Sequence, residues 1–465
     1  MTGLQKRLPQ TRHGWVVAAY VAIAMVLGGG GSPSAAAEIL VQIGFAACVI
    51  AWVFWAGETR RPPKQVVWIA ALIVGLPILQ LVPLPPSLWK ALPGRELVAE
   101  SLELVGAESR WQPLSVAPFN TLASLLALIP VAGAMLAVST LRSADRRAVT
   151  LLIGLLALAG SALGVLQMAG GPGAFRLYEV SHDFWLTAFH ASRNSAADAL
   201  LTGSLALTAW VATTTGRRPL FRGDLGLLLL FQAFLLLALV LTGSRADIGL
   251  LPLVLLVEFL MLRSVGLARQ LSAGMAALGG LVAAVAVTAT TLSGNPRIDA
   301  VLARFDASRD FRSELWQDTV TAIGHYWPAG SGLGTFTRVF LPVERAQVLD
   351  DLFPNRAHND FLEFLLEAGV LAPLLLAAVL ALILPLARKA WSRGAADRPI
   401  VLLSFGILMV IGLHSLVDYP LRNMALASLA GVAVGLLGAL SRVSGDHRRM
   451  DAENDGSQLG FTQHA

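Results

Sequence analysis

The chain has 465 residues, of which 55% are hydrophobic and only 14% are charged, and its mean hydropathy is +0.66. A soluble domain carries about 25% charged residues, so this composition excludes an ordinary soluble domain and indicates a polytopic membrane protein. The net charge of +5 and the pI of 9.8 come from basic residues in every second connection between apolar stretches, a pattern typical of membrane topology and not of nucleic-acid binding.

Apolar stretches recur along the chain, and about twelve of them are long enough to cross a bilayer as helices. None alternates like a barrel strand, and a backbone in lipid has to form its hydrogen bonds within its own segment. The predicted fold class is therefore an all-α polytopic membrane protein. The predicted spans are residues 14–30, 36–57, 65–83, 120–140, 148–169, 193–213, 225–242, 246–262, 271–292, 359–386, 399–416 and 423–441.

Charge predicts the orientation of these spans. Basic residues precede the first span at 6–12 and follow the last one at 442–449. Between these ends they cluster in every second connection, which places them all on the same side of the membrane. The positive-inside rule makes this side cytoplasmic and places both termini inside. The first span lacks a small-residue cleavage site before a polar mature start, so we expect it to be retained. Cys48, the single cysteine, lies within a span, which excludes a disulfide.

Polar segments divide the chain into four parts. The tail after the last span has no apolar periodicity, so we expect it to be disordered. The predicted parts are transmembrane helices 1–9 over residues 1–292 with external segments at 84–119 and 170–192, one long external loop over 293–357, transmembrane helices 10–12 over 358–442, and a cytoplasmic tail over 443–465.

A short external turn between two apolar spans contains Arg245. External short loops normally avoid basic residues, which favours a functional role such as anion binding. The alternative is an interfacial arginine that reaches lipid headgroups. Asp247, two residues later, is placed to orient the guanidinium group.

The long loop contains a second candidate arginine. Arg312 precedes Trp316 by four residues, and apolar positions over 299–326 recur at helical spacing, so the two side chains share a face of a predicted surface helix. Stacking between them is the simpler alternative. The glycine-rich run 328–336 follows and predicts a turn. It lacks the Lys-Ser/Thr of a P-loop, which excludes an ATP site.

His358 stands where the long loop enters the next apolar helix, two residues after Arg356. A histidine can take a proton near neutral pH, and an arginine can hold phosphate oxygens in a fixed fork, so the pair suggests chemistry on a phosphate-bearing substrate. The alternative is that His358 only caps the helix. Glu363 and Glu367 follow on that helix, where carboxylates are costly without a function. They are structural if they contact arginines or backbone groups.

His414 and Asp418 are four residues apart on one predicted helix face near the external end. A carboxylate can orient an imidazole, so they form either an acid–base pair or an interfacial packing pair. His182, Asp183 and His190 have no diagnostic metal-ligand spacing, and no metal or other cofactor is predicted.

The order of these features resembles the O-antigen ligase and O-antigen polymerase superfamily of bacterial envelope glycan assembly. The features that carry the resemblance are Ser244-Arg245, Arg312 with Trp316, the run from Pro328 to Phe336, and His358-Asn359 leading to Glu367 and Gly369.

The resemblance implies a GT-C-like helical fold with one long periplasmic loop, in the bacterial inner membrane. It implies a metal-independent, inverting glycosyltransferase with an undecaprenyl-diphosphate-linked glycan as donor and another glycan or lipid A–core as acceptor. Arg245 and Arg312 would bind the diphosphate, and His358 would be the catalytic base. Asn359 and Glu367 would shape the substrate pocket, to which we also assign Arg356, His414 and Asp418.

The resemblance leaves the acceptor open. The Pro-rich segment 84–119 favours a polysaccharide polymerase, with an O-antigen ligase as the close second. A polytopic transporter or flippase of lipid-linked glycan is the alternative from another class. Transporters commonly repeat one half of the chain in the other, and no such repeat is present here.

Overall fold

The computed structural model describes residues 7–31, 35–57, 59–215, 222–266, 312–348 and 354–442. The predicted span at 271–292, the loop residues 293–311 and the predicted tail at 443–465 lie outside the described residues.

Helices account for nearly all of the regular structure in the described residues. One short antiparallel pair, β1 (Pro83–Leu84) and β2 (Gln112–Pro113), accompanies them. In chain order the helices are α1 (Arg12–Leu27), α2 (Ala35–Trp55), α3 (Lys64–Leu81), α4 (Pro86–Trp89), α5 (Glu96–Glu103), α6 (Pro118–Val138), α7 (Ser143–Gly170), α8 (Arg193–Thr215), α9 (Arg222–Thr242), α10 (Arg245–Ser264), α11 (Arg312–Tyr326), α12 (Phe336–Phe340), α13 (Asp360–Ala368), α14 (Leu371–Trp391), α15 (Arg398–His414) and α16 (Met424–Leu440).

Among the described residues, six helices are long and apolar enough to cross a membrane, namely α2, α3, α6, α7, α8 and α14. Helices α1, α9, α15 and α16 are apolar but shorter. Each predicted span within the described residues except 359–386 coincides with one helix, and α11 is the first described helix of the long loop. A mostly helical, polytopic membrane protein is therefore confirmed.

The predicted span at 359–386 is two helices and not one. α13 ends at Gly369, whose φ of +56° is a conformation that favours glycine. A Cβ atom built on Gly369 would lie 2.1 Å from the carbonyl oxygen of Pro328, and that oxygen accepts a hydrogen bond from Val370 at 2.9 Å. The chain that enters the glycine-rich run 328–336 thus crosses the junction between α13 and α14 at Gly369. α13 therefore lies before the membrane-spanning helix α14.

The centre of the bundle is α8, which packs against α7, α9, α10 and α15. Several of its buried polar side chains have partners on neighbouring helices. The hydroxyl oxygen of Ser204, for example, lies 2.6 Å from Gln232 Oε1 of α9 and 2.6 Å from Glu258 Oε1 of α10. Such bonds satisfy polar groups that would be costly to leave unpaired in the bundle. Because α8 is central, polar side chains at its first turns face the interior.

Gln80, at the end of α3, connects three segments at the same end of the bundle as α13. Its backbone oxygen accepts from Ser115 at 3.0 Å, and its Oε1 accepts from the backbone N–H of Leu333 at 2.9 Å. Its Nε2 donates to the backbone oxygen of Glu367 at 2.9 Å. The segment between α3 and α6, the glycine-rich run 328–336 and α13 therefore form one packed layer.

Candidate functional site

His358 occupies a strained backbone position directly before α13. Its φ of +48° lies in the left-handed region, which residues other than glycine rarely adopt. Asn359 caps α13, with its Oδ1 accepting from the backbone N–H groups of Phe361 at 3.0 Å and Leu362 at 3.1 Å. Its Nδ2 donates to the backbone oxygen of Leu416 at 2.9 Å. The surrounding contacts thus hold His358 in a conformation that is unfavourable by itself.

The imidazole of His358 pairs with Asp418. Its Nδ1 lies 3.2 Å from Asp418 Oδ1, and its ring packs edge-on against Tyr419 with 4.9 Å between the ring centroids. The His358 side chain is 20% exposed, whereas Asp418 is buried. A carboxylate beside Nδ1 favours the imidazole tautomer whose proton is on Nδ1, so that Nε2 carries the lone pair. This arrangement suits a base that takes a proton from a hydroxyl group.

Asp418 lies between two histidines on the turn after α15. Its Oδ2 accepts from Asn194 and lies 3.8 Å from His414 Nε2. Burial raises the pKa of Asp418, but the hydrogen bond from His358 and the charges of both histidines lower it, and the net pKa is well below the usual range. The carboxylate is therefore ionised at neutral pH.

His414 contacts two further buried carboxylates through its other nitrogen. Its Nδ1 lies 2.9 Å from Asp198 Oδ2 and 3.6 Å from Asp247 Oδ2. Asp247, which the sequence suggested as a partner of Arg245, accepts a hydrogen bond from Ser244. We call the set of His358, Asp418, His414, Asp198 and Asp247 the histidine–aspartate row.

Asp198, Asp247 and His414 form a group, within the described part of the chain, that can hold a metal ion. One potential ligand atom of each lies within 4.8 Å of the others. The three residues come from α8, α10 and α15, so no short spacing in the sequence reveals the group. His182 and His190, which were considered as metal ligands from the sequence, are not part of this group. The Nδ1 atom of His182 accepts a hydrogen bond from a backbone N–H at 3.2 Å, and His190 is buried.

A second charged group, which we call the arginine clasp, fixes the loop before α13. Arg422 lies 2.7 Å from Glu367, 3.4 Å from Glu363 and 3.5 Å from Asp360, measured between charged atoms. Arg356 contacts Glu363 at 2.8 Å. The three carboxylates lie on one face of α13, because residues three and four apart are neighbours on a helix. Glu363 and Glu367 thus contact arginines, as the structural alternative for these two residues stated.

The pKa directions in the arginine clasp follow from burial and pairing. Burial raises the pKa of Asp360 to about 7, although Arg422 opposes this. Burial also raises the pKa of Glu363, but the charges of Arg422 and Arg356 outweigh it and the net pKa is lowered. Burial lowers the pKa of Arg422, whereas its carboxylate neighbours raise it by more. Arg422 therefore stays charged.

The other two predicted arginines lie at helix starts near these groups. Arg245 is the first residue of α10, within one turn of Asp247. Arg312 is the first residue of α11, and one turn later Trp316 donates from Nε1 to the backbone oxygen of Ala357 at 3.1 Å. The two helix starts therefore approach the histidine–aspartate row and the His358 segment, respectively.

Sequence reasoning missed three contributors to the site, namely Asn194, Asp198 and Arg422. Asn194 and Asp198 are four residues apart in α8 and contact Asp418 and His414, respectively. A carboxylate inside an apolar span is a signal by itself, and Asp198 carried that signal. Arg422 follows the last external turn and had no local pattern to single it out.

These features define a helical membrane protein with a site of histidines, carboxylates and arginines at one end of its bundle. Residues 230–377 match the family model described as O-antigen ligase. The match confirms the resemblance to the O-antigen ligase and polymerase superfamily. No curated protein matches the chain. The matched residues include His358 and the clasp carboxylates, whereas Asp198, His414, Asp418 and Arg422 lie outside them.

Proposed function

We propose that this protein is a membrane glycosyltransferase that moves an undecaprenyl-diphosphate-linked glycan onto an acceptor hydroxyl at the periplasmic face. The observation that carries the proposal is the His358–Asp418 pair. A partly exposed imidazole is held in a strained position and paired at Nδ1, within a segment that matches the family model described as O-antigen ligase. The same match does not favour the transporter alternative.

In the proposed reaction His358 is the general base. Its Nε2 takes the proton of the acceptor hydroxyl while the acceptor oxygen attacks the anomeric carbon of the donor. The bond from that carbon to the diphosphate oxygen breaks, and its electron pair leaves with undecaprenyl diphosphate. Attack from the face opposite the leaving group inverts the anomeric configuration. Asp418 stabilises the imidazolium that forms, and a base of this kind contributes about 10²–10⁴-fold in rate.

Arg245 and Arg312 are the proposed ligands of the donor diphosphate. Negative charge develops on the leaving group as the anomeric bond breaks, and preorganised guanidinium groups stabilise it. Each such donor is worth roughly 3–4 kcal/mol. Two arginines and a base therefore supply the chemistry without a metal ion at the reacting atoms.

The remaining predicted site residues have partners inside the protein, and we assign them to the support of the site. Arg356 and Glu367 belong to the arginine clasp, and Asn359 caps α13. Asp418 and His414 lie behind His358. These contacts favour a positioning role over direct contact with substrate.

The proposal includes a topology. About twelve spans, both termini in the cytoplasm and a GT-C-like arrangement in the inner membrane would place His358 at the periplasmic surface. The basic residues on one side of the chain support this orientation. The segment at 84–119, the described loop residues 312–348 and the helices after 358 would then surround the site.

The test uses purified protein in nanodiscs with an undecaprenyl-diphosphate-linked repeat unit, with and without lipid A–core, and mass spectrometry of the products. Growth of the glycan on the donor lipid alone would make the protein a polymerase, the outcome that the Pro-rich segment favours. Product that requires lipid A–core would make it a ligase. Absence of transfer from folded protein under both conditions would contradict the proposal.

A further inference from the structure

Three ligand-type side chains converge behind the proposed base. Asp198 and Asp247 are 0% exposed and His414 is 2% exposed, and each comes from a different long helix. In the proposed transfer none of them contacts substrate. Their convergence therefore needs its own explanation, because buried carboxylates are costly unless something compensates their charge.

The spacing of these side chains fits a metal ion. His414 Nδ1 lies 2.9 Å from Asp198 Oδ2 and 3.6 Å from Asp247 Oδ2. Ligand atoms about 2.0–2.1 Å from a tetrahedral Zn²⁺ ion lie about 3.3 Å from one another. One imidazole with two carboxylates is also a donor set that divalent transition metals accept.

Two further oxygen atoms in this group are available as ligand atoms. Asp198 Oδ1 and Asp247 Oδ1 are buried and have no hydrogen-bond partner among the described residues. One oxygen atom of each carboxyl group lies within 4.8 Å of the other. Facing carboxylates repel each other unless a positive charge lies between them.

The other nitrogen of His414 has the partner that a metal-bound imidazole usually has. Its Nε2 lies 3.8 Å from Asp418 Oδ2, and ligating histidines commonly present their second N–H to a carboxylate. With that proton on Nε2, the lone pair of Nδ1 faces Asp198 and Asp247. We propose that Asp198, Asp247 and His414 bind a divalent transition-metal ion that joins α8, α10 and α15.

This ion has a structural role and lies outside the reaction. Asp418 and His414 separate it from His358, so it contacts no reacting atom. It fixes the helices on which Asp418 and the start of α10 depend. The proposal goes beyond glycosyl transfer, and metal content can test it without any measurement of activity.

The first experiment uses the full chain purified in detergent without a histidine tag. The protein is stripped with a chelator, incubated with Zn²⁺, dialysed and analysed for metal. We expect about one retained Zn²⁺ per chain and a higher unfolding temperature than in the stripped protein. X-ray absorption should show one imidazole nitrogen and carboxylate oxygens about 2.0–2.2 Å from the metal.

Two variants separate this site from adventitious binding. Asp247→Asn and His414→Gln should each weaken Zn²⁺ binding at least ~10-fold. The matched control is Glu258→Gln, because Glu258 is a buried carboxylate of the same helix with side-chain partners of its own. It should retain the metal.

Three results would overturn the proposal. These are a wild-type chain that retains no Zn²⁺, a folded Asp247→Asn variant that retains it as tightly as the wild type, and a Zn²⁺ shell without a nitrogen ligand. Spectroscopy on the wild type decides the question even if both variants fail to fold. If the chain bound no metal, a proton shared between the carboxyl groups of Asp198 and Asp247 would explain why the two groups lie close together.

Discussion

The arginine clasp and the histidine–aspartate row are neighbours built from similar buried charges, yet their pairing differs. In the clasp every carboxylate has a guanidinium group within 3.5 Å. In the row the carboxylates meet imidazoles, while each of the two groups contains two carboxylate oxygens that have no hydrogen-bond partner among the described residues. The row also reaches the surface at His358, whereas the clasp carboxylates are buried.

The difference indicates a division of labour. Guanidinium groups stay charged, so the clasp can only hold the chain in place. Imidazoles exchange protons near neutral pH and also bind metals, so the row can take part in chemistry. Changes in the row should therefore reduce transfer in folded protein, and changes in the clasp should reduce stability.

The largest expected effect is that of His358→Ala on transfer. Loss of the base should lower the rate by about 10²–10⁴-fold with an unchanged unfolding temperature. The measurement is product formation per folded molecule in nanodiscs, with His325→Ala as the control because His325 is an exposed histidine of α11. Full activity in His358→Ala would remove this residue from the mechanism.

Arg422→Met should have the largest effect on stability. It leaves three buried carboxylates with less compensation, and breaking a buried ion pair from one side costs about 3–5 kcal/mol. Thermal unfolding in detergent measures the loss, with the exposed Arg338→Met as control. A variant as stable as the wild type would show that the clasp does not hold the fold.

Asp418→Asn should lower transfer by about 10²-fold while the protein stays folded, because the amide no longer favours the productive tautomer of His358 or stabilises its imidazolium. The turnover number should fall more than the Michaelis constant changes. If only the Michaelis constant changed, Asp418 would bind substrate and would not orient the base.

Gly369→Ala should destabilise the protein by about 1–3 kcal/mol, because a methyl group meets the Pro328 carbonyl and the left-handed conformation disfavours alanine. Gly75→Ala is the control, since nothing lies within 4 Å of its added Cβ. Equal unfolding temperatures for the two variants would contradict the crossing at Gly369.

Lowering the pH should have the smallest effect on stability, and it should act through the arginine clasp. The pKa of Glu363 is lowered below its ordinary value of 4.5. The unfolded chain therefore takes up this proton first, and the stability present above pH 4.5 declines as the pH falls through the lowered pKa. Unfolding temperatures measured against pH should show this decline, and Glu363→Gln should flatten it. An unchanged profile in the variant would assign the decline to other groups.

Hydropathy alone predicted where the long helices lie, because in lipid each helix satisfies its own backbone. His414 and Asp418 lie 3.8 Å apart, as their four-residue spacing suggested, but α15 ends at His414 and Asp418 lies on the turn that follows it. The pairing of His358 with Asp418 and the approach of Asp198 to His414 could not be predicted, because they depend on how distant helices pack. The break at Gly369 was missed for a related reason, since the segment that crosses there comes from another part of the chain.

Gln80 has a consequence for how molecules reach His358. Its side-chain amide binds Leu333 and Glu367 at once, so separating the glycine-rich run from α13 would break both bonds and expose a fully buried amide. That side of the site is therefore a closed wall. An entry path for a long glycan has to lie elsewhere around His358, or all three segments have to move as one body.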